Sequence, residues 1–97
     1  MITSKQRAYL RKLANKIEPI FQIGKGGLNE NMATEIENAL EARELIKIHI
    51  LDTAFMDSRE TLNELCSLTG AEPVSAIGSK IVLYKESKNK KTIELPR

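Results

Sequence analysis

The sequence predicts a two-layer α/β domain in which three helices pack on a mixed four-stranded sheet, in the chain order α-β-α-β-α-β-β. Apolar residues recur at helical spacing in three segments, and a polar cap precedes each of them. Isoleucines alternate with polar residues over 45–51, which is typical of a strand. The apolar segments 73–77 and 80–85 flank Gly78-Ser79, a tight-hairpin signal. The last two strands should therefore be antiparallel, and each strand–helix–strand unit should form a parallel pair.

The first helix carries cations on both sides of its apolar stripe. It should begin at a cap formed by Thr3 or Ser4 and run to about residue 16, because Pro19 cannot continue a helix. With about 100° between successive residues, one edge of the stripe carries Lys5, Lys12 and Lys16, and the other carries Arg7 and Arg11.

The central elements follow from similar signals. A short strand over 20–23 leads into a glycine turn, and Asn29 caps a second helix that runs to about residue 44. After the strand over 45–51, a third helix spans about 58–68 and ends before a glycine.

The chain should form one domain, spanning residues 1–97. Beyond residue 86 it is polar and rich in lysine, so we expect residues 87–97 to be a loosely ordered tail with room for a short extra strand over 92–95. Each apolar stripe has a partner within the chain, and we therefore expect a monomer.

Composition indicates the compartment. Cys66 is the only cysteine, so no intramolecular disulfide can form. No apolar run approaches the roughly 20 residues that span a bilayer, and no apolar signal core follows the N-terminus. We expect a cytoplasmic protein that does not contact a membrane.

The net charge of +2 hides a segregation of charge along the chain. Residues 5–16 hold five cations and no carboxylate, residues 29–44 hold five glutamates and one arginine, and residues 79–97 are basic again. A chain that separates its charges in this way presents one face to polyanions and another to water.

A glycine turn, Gly24-Lys25-Gly26-Gly27, joins the first strand to the second helix. Glycines allow positive φ and the close approach of another backbone, and we expect Gly24 to need a positive φ. The helix that follows points backbone N–H groups and partial positive charge at the turn, and Lys25 adds a full charge. Two glycines three apart before a helix also form the clamp of the KH module, which holds about four nucleotides by their backbone. The pattern predicts a phosphate site, although a plain strand-to-helix turn would use the same glycines.

Two other phosphate-binding motifs do not match. A Walker-type loop needs a glycine where this chain has Pro19, and a serine or threonine where it has Gly26. A dinucleotide fingerprint needs a different glycine spacing.

No residue set predicts catalysis or a metal site. His49 alternates with isoleucines and Cys66 lies in the apolar stripe of the third helix, so both suit structural or solvent-facing roles. There is no Cys/His cluster of metal spacing, no nucleophile elbow and no placed pair of carboxylates. We expect no enzyme, no cofactor and no small-molecule substrate.

A sheet that binds RNA by base stacking needs adjacent exposed aromatic residues. The chain has only four aromatic residues, Tyr9, Phe21, Phe55 and Tyr84, and the sequence does not place them on adjacent strands.

Segments 23–28, 39–48 and 77–85, together with the opening 5–14, resemble the CRM domain (chloroplast RNA splicing and ribosome maturation). The similarity is greatest to its stand-alone bacterial form, the YhbY type, and covers roughly residues 3–86. The resemblance implies an RNA-binding α/β domain with a KH-like glycine loop, similar in fold to the C-terminal domain of bacterial translation initiation factor three. In bacteria the stand-alone form is associated with precursors of the large ribosomal subunit, and in plants the domain occurs in splicing factors for group II introns.

Carried over by position, the resemblance assigns RNA binding to two groups of residues. The loop residues would be Gly24, Lys25, Gly26 and Gly27, and the neighbouring basic residues would be Lys5, Arg7, Arg11, Lys12 and Lys16. Arg43 stands where the family often has histidine and Asn29 where it often has threonine, but asparagine caps a helix equally well.

The partner implied is RNA, most simply ribosomal RNA in precursors of the large subunit. Two alternatives stay open at this point. The acidic helix 29–44 could dock a basic ribosomal protein through Glu37 and Glu41, or Lys25 could serve an enzyme acting on a phosphate-containing ligand.

Overall fold

A computed structural model describes residues 2–54 and 56–96, so Phe55 and the last residue of the tail lie outside the described residues. The helices and strands are α1 (Ser4–Ala14), β1 (Phe21–Ile23), α2 (Glu30–Arg43), β2 (Leu45–Ile50), α3 (Ser58–Thr69), β3 (Glu72–Ile77) and β4 (Lys80–Tyr84). A short 3-10 helix, Asp52–Ala54, precedes α3 and has no counterpart in the sequence prediction. The predicted order of three helices and four strands is confirmed. Within the described ranges, no helix has the length and hydropathy that a membrane crossing requires.

Side-chain hydrogen bonds explain where the helices begin. The Thr3 hydroxyl accepts the N–H of Gln6 at 3.1 Å, and the Gln6 side chain accepts the N–H of Thr3 at 2.9 Å, which makes a capping box. Asn29 and Asp57 each accept the N–H three residues further on, at 2.8 and 3.0 Å. Thr3, Asn29 and Asp57 therefore cap α1, α2 and α3.

The sheet order is β1-β2-β4-β3, with β1 at one edge and β3 at the other. β1 and β2 are parallel, as predicted, and β4 is antiparallel to both of its neighbours. β2 and β3 run in the same direction, as predicted, but they are not a hydrogen-bonded pair, because β4 lies between these two strands and bonds to both. The turn at Gly78, whose φ is +59°, makes β3 and β4 a tight antiparallel hairpin, but a hairpin alone does not decide on which side of β3 the strand β4 lies. The connection through α3 places β3 two strand positions away from β2, and β4 fills the position between them.

Helices cover both faces of the sheet. On the face against α2 and α3, the buried side chains of β2 and β4 are Ile46, Ile48, Ile50, Ile81 and Leu83. On the face against α1, they are Leu45, Val82 and Tyr84. We call these the α2/α3 face and the α1 face. The predicted two layers thus gain a third layer, since β2 and β4 are apolar on both faces where α1 crosses them.

The tail after β4 is fastened to the end of α2 by a buried glutamate. Glu44 caps α2 with a φ of +66° and is 0% exposed. Its carboxylate accepts the backbone N–H groups of Ser87 at 2.8 Å, Thr92 at 2.6 Å and Ile93 at 2.8 Å. Burial opposes ionisation of Glu44, but these hydrogen bonds prevail and lower its pKa. Ile93 and Leu95 then pack against the core beneath α1.

A second glutamate holds the start of the tail. The Glu41 carboxylate accepts the hydroxyl of Ser87 and the N–H groups of Lys88 and Asn89, the latter two at 3.0 Å. The Ser87 bond and these N–H bonds lower the pKa of Glu41 to about 2. Residues 87–96 contain no strand, so the extra strand over 92–95 is not formed. We expected a loosely ordered tail, but hydrogen bonds to Glu41 and Glu44 hold residues 87–93 against the end of α2.

Candidate nucleic-acid interface

The glycine turn closes on itself between β1 and α2. The Gly24 carbonyl accepts the N–H of Gly27 at 2.9 Å, and Lys25 and Gly26 lie exposed at the tip. A Cβ at Gly26 would meet no atom within 4 Å. Because Asn29 begins α2 directly behind the turn, the positive end of the helix dipole is on this side. The turn is therefore an open, positively polarised tip that a phosphate group can approach.

Gly27, and not Gly24, has the left-handed backbone of the turn. The φ of Gly27 is +64°, whereas Gly24 is not among the residues with positive φ, so the expectation for Gly24 is wrong. A Cβ at Gly24 would lie 3.5 Å from Leu51 Cδ1, an ordinary contact distance. Three glycines in four residues allow more than one backbone path through the turn, and the path adopted has its left-handed residue at Gly27, two residues before the extended cap of α2.

We expect Gly27→Val to lower the free energy of unfolding by about 1–3 kcal/mol, because a β-branched residue is strained at positive φ. Lack of space adds little, since a Cβ at Gly27 would lie 3.9 Å from Met56 Sδ. Gly26→Val is the matched control, because it faces open space in the same turn without a positive φ. Urea unfolding followed by circular dichroism measures both variants. Equal stability of the two would contradict the assignment of the strained position.

The basic residues assigned to the first helix lie in different surroundings. Those exposed on α1 are Lys5, Arg11 and Lys12. Arg7 is half-buried, and its Nε–H donates to the Pro73 carbonyl of β3 at 3.0 Å. Lys16 follows the end of α1 and lines a hollow together with Arg43 and Lys47. Arg7 thus has a structural bond in addition to any role in binding.

The turn and α1 lie towards opposite ends of the strands. α1 packs on Leu45, the first residue of β2. The turn instead follows Ile23, whose carbonyl accepts the N–H of Leu51 at 2.8 Å, just past the end of β2. The six residues of β2 span about 17 Å at the usual rise of a strand. The structure therefore does not bring the α1 cations against the turn, and part of the α1 face lies between them.

A row of four side chains crosses this part of the α1 face, and we call it the cross-strand row. The strand registers pair Gln22 with His49, His49 with Lys80, and Lys80 with Ile77. The isoleucines that flank His49 in β2 belong to the α2/α3 face, so the row points to the other side. Gln22 and Lys80 are exposed, His49 is half-buried, and Ile77 is 73% exposed.

Sequence reasoning missed the cross-strand row as a candidate surface. The alternation in β2 shows that His49 lies opposite the isoleucines, but it does not show which residues of the other strands stand beside His49. That depends on the register of three strand pairs and on the position of β4 between β2 and β3. The one local signal was Lys80, a cation directly after the hairpin turn.

The two sides of the domain differ in charge. α1 contains four cations and no carboxylate. α2 and α3 together contain two arginines and six glutamates, four of them in α2 and two in α3. The segregation of charge along the sequence therefore becomes a difference in charge between the helices on the two faces of the sheet, while Glu18 and Glu94 lie beside α1.

The one cysteine, Cys66, is half-buried on α3. Burial, and secondarily the Glu72 carboxylate, raise the pKa of the Cys66 thiol to about 11, so the thiol stays protonated. Among the residues that the structure describes, no group of three His, Cys, Asp or Glu side chains is placed to hold a metal ion.

Several known proteins are similar to this chain in sequence, and one solved structure is similar in fold. The model of the CRS1 / YhbY (CRM) domain matches residues 2–85. "Probable RNA-binding protein YqeI" of Bacillus subtilis strain 168 is 49% identical over 96 residues, which cover 99% of this chain and 100% of that protein. An RNA-binding protein of Haemophilus influenzae is 36% identical over 99% of this chain and 96% of its own length. The solution structure of a hypothetical protein from Staphylococcus aureus is 52% identical and has a TM-score of 0.79, covering 99% of this chain and 100% of that one.

The fold is a small mixed α/β domain, and the Staphylococcus aureus structure has the same fold. The chain belongs to the CRS1 / YhbY (CRM) domain family, and the resemblance seen in its sequence is confirmed.

Proposed function

We propose that this chain binds RNA through the glycine turn and the basic residues in and just after α1. The observation that supports this best is the separation of charge, because α1 has cations without carboxylates while most glutamates lie on the opposite helices. Such a distribution attracts and orients a polyanion. Two relatives, YqeI and the Haemophilus protein, are named for RNA binding, which adds support.

The proposed contacts have two parts. In the turn they are Gly24, Lys25, Gly26 and Gly27, which offer backbone N–H groups and one charge to phosphates. Around α1 they are Lys5, Arg7, Arg11, Lys12 and Lys16. Because the Arg7 Nε–H is bonded to the Pro73 carbonyl, Arg7 would offer only its terminal N–H groups.

The proposed target is ribosomal RNA in precursors of the large subunit, with the chain acting as an assembly factor. It would act as a cytoplasmic monomer, without catalysis, cofactor, small-molecule substrate or membrane contact. The resemblance to the stand-alone bacterial form supports this part of the proposal.

Removing the charge at the turn tests the proposal. We expect Lys25→Ala to weaken binding to large-subunit ribosomal RNA fragments of any sequence and to lower the salt slope by about one unit, as the loss of one phosphate contact should. Fluorescence anisotropy at several salt concentrations gives both quantities. Lys88→Ala is the matched control, because this exposed lysine lies among Glu37, Glu41 and Glu86. A salt slope equal to that of the control would remove Lys25 from the contacts.

The same assay separates RNA binding from the adaptor alternative. Glu41 is bonded to the tail of its own chain, so of the two glutamates considered for docking only Glu37 is exposed. If RNA is the partner, Glu37→Lys should leave both RNA affinity and ribosome association in place. Loss of ribosome association with intact RNA affinity would favour a docked basic protein instead.

A further inference from the structure

The cross-strand row begins next to the glycine turn. Gln22 precedes Gly24 by two residues on β1, and the row then passes through His49 and Lys80 to Ile77. Three intervals of about 4.8 Å between neighbouring strands make the row roughly 14 Å long. A nucleic-acid strand held at the turn by its phosphates could therefore continue directly onto this part of the sheet.

The row offers chemistry that phosphate binding does not require. The Gln22 amide has donors and acceptors for a base edge, and the His49 ring has a flat face on which a base can stack. Ile77 is 73% exposed, and its apolar side chain can pack against the face of a base. Lys80 supplies one charge, and the row contains no carboxylate.

Cations lie at both ends of the row. Lys25 stands at the turn after β1. At the other edge of the sheet, beyond Ile77, a groove along β3 is lined by Arg7, Arg11 and Arg59. Backbone contacts at both ends, with polar and apolar side chains between them, fit a strand whose bases face the protein.

We propose that the cross-strand row binds the bases of a single-stranded RNA segment whose backbone is held by the glycine turn at one end and by the arginine groove at the other. This rests on the proposed RNA-binding function and makes it specific for unpaired RNA. Paired bases turn their Watson–Crick edges and stacking faces towards each other, so a duplex cannot use the row.

The test uses the full chain and two labelled probes, a 12-nucleotide single-stranded RNA of mixed sequence and a 12-base-pair RNA duplex. We expect the single strand to bind more tightly than the duplex. Ile77→Ser and His49→Ala should each weaken single-strand binding by about fivefold or more with an unchanged salt slope, because they remove base contacts and no charge contact. Leu68→Ser is the matched control, since Leu68 is 53% exposed on α3, away from the row.

Each result decides between the two proposals. Thermal unfolding verifies that the variants fold. If His49→Ala does not fold, because His49 is half-buried, the result for Ile77→Ser alone tests whether the cross-strand row binds RNA. If wild type binds RNA and the double variant Lys25→Asp, Gly26→Asp does not, but Ile77→Ser binds like Leu68→Ser, the row is excluded and the proposed function stands. A duplex that binds as tightly as the single strand also overturns the row. If wild type binds neither probe, the RNA-binding function itself fails.

Discussion

The double variant Lys25→Asp, Gly26→Asp should lose RNA affinity by about tenfold or more while keeping its fold. The change replaces the one cation at the tip with two carboxylates that face an incoming phosphate, so attraction becomes repulsion. The fold should tolerate it because Lys25 is exposed, and a Cβ at Gly26 meets no atom within 4 Å. Anisotropy with ribosomal RNA fragments at two salt concentrations measures the loss.

The control for this variant places the same change of charge elsewhere. Lys88→Asp with Asn63→Asp alters two exposed positions, in the tail and on α3, by the same total charge. We expect it to lose much less affinity than the turn variant. If both double variants lose affinity equally, overall charge and not the turn governs binding. If the turn variant binds like wild type, the glycine turn is only a connection between β1 and α2.

Glu44→Ala should lower the free energy of unfolding by about 2–4 kcal/mol at pH 7, the largest effect expected of any single replacement outside the apolar core. The variant leaves the N–H groups of Ser87, Thr92 and Ile93 without their carboxylate. It also releases the segment that carries Ile93 and Leu95 onto the core under α1. Urea unfolding gives the change, with Glu37→Ala as a control at an exposed position of α2.

Lowering the pH should remove the stabilisation that the Glu44 carboxylate provides. Glu41 and Glu44 both have a lowered pKa in the folded chain, so their stabilisation is complete above the ordinary carboxyl pKa of 4.5 and declines as the pH falls. For Glu41 the loss extends down to pH of about 2. Wild type should therefore lose stability between about pH 4.5 and 2, and Glu44→Ala should lose less over that interval. A pH profile equally steep in Glu44→Ala would show that Glu44 does not hold the tail.

Local signals predicted most of the secondary structure because their causes are local. Thr3, Asn29 and Asp57 cap helices through N–H groups only three residues away. Gly78 makes its hairpin for a similar reason, since only glycine takes the needed φ readily. By contrast, the left-handed position in the glycine turn was assigned to the wrong glycine, because three glycines in four residues allow more than one backbone path.

The candidate site was predictable only in part. The turn could be located because its glycines, Lys25 and the cap of α2 are consecutive in sequence. The cross-strand row could not, because Gln22, His49, Lys80 and Ile77 come together only through the strand registers. The roles of Glu41 and Glu44 were hidden as well, since their partners lie more than 40 residues further along the chain.

By itself, the sequence determined the number and order of the helices and strands, the hairpin and the separation of charge along the chain. Each of these depends on residues that are close in sequence, where spacing and backbone preference decide. Only the tertiary structure decided that β4 lies between β2 and β3, that α1 adds a third layer, and that the basic α1 face turns away from the glutamates of α2 and α3. Those outcomes depend on which apolar surfaces meet across the sheet, and that choice is made by packing over the whole domain.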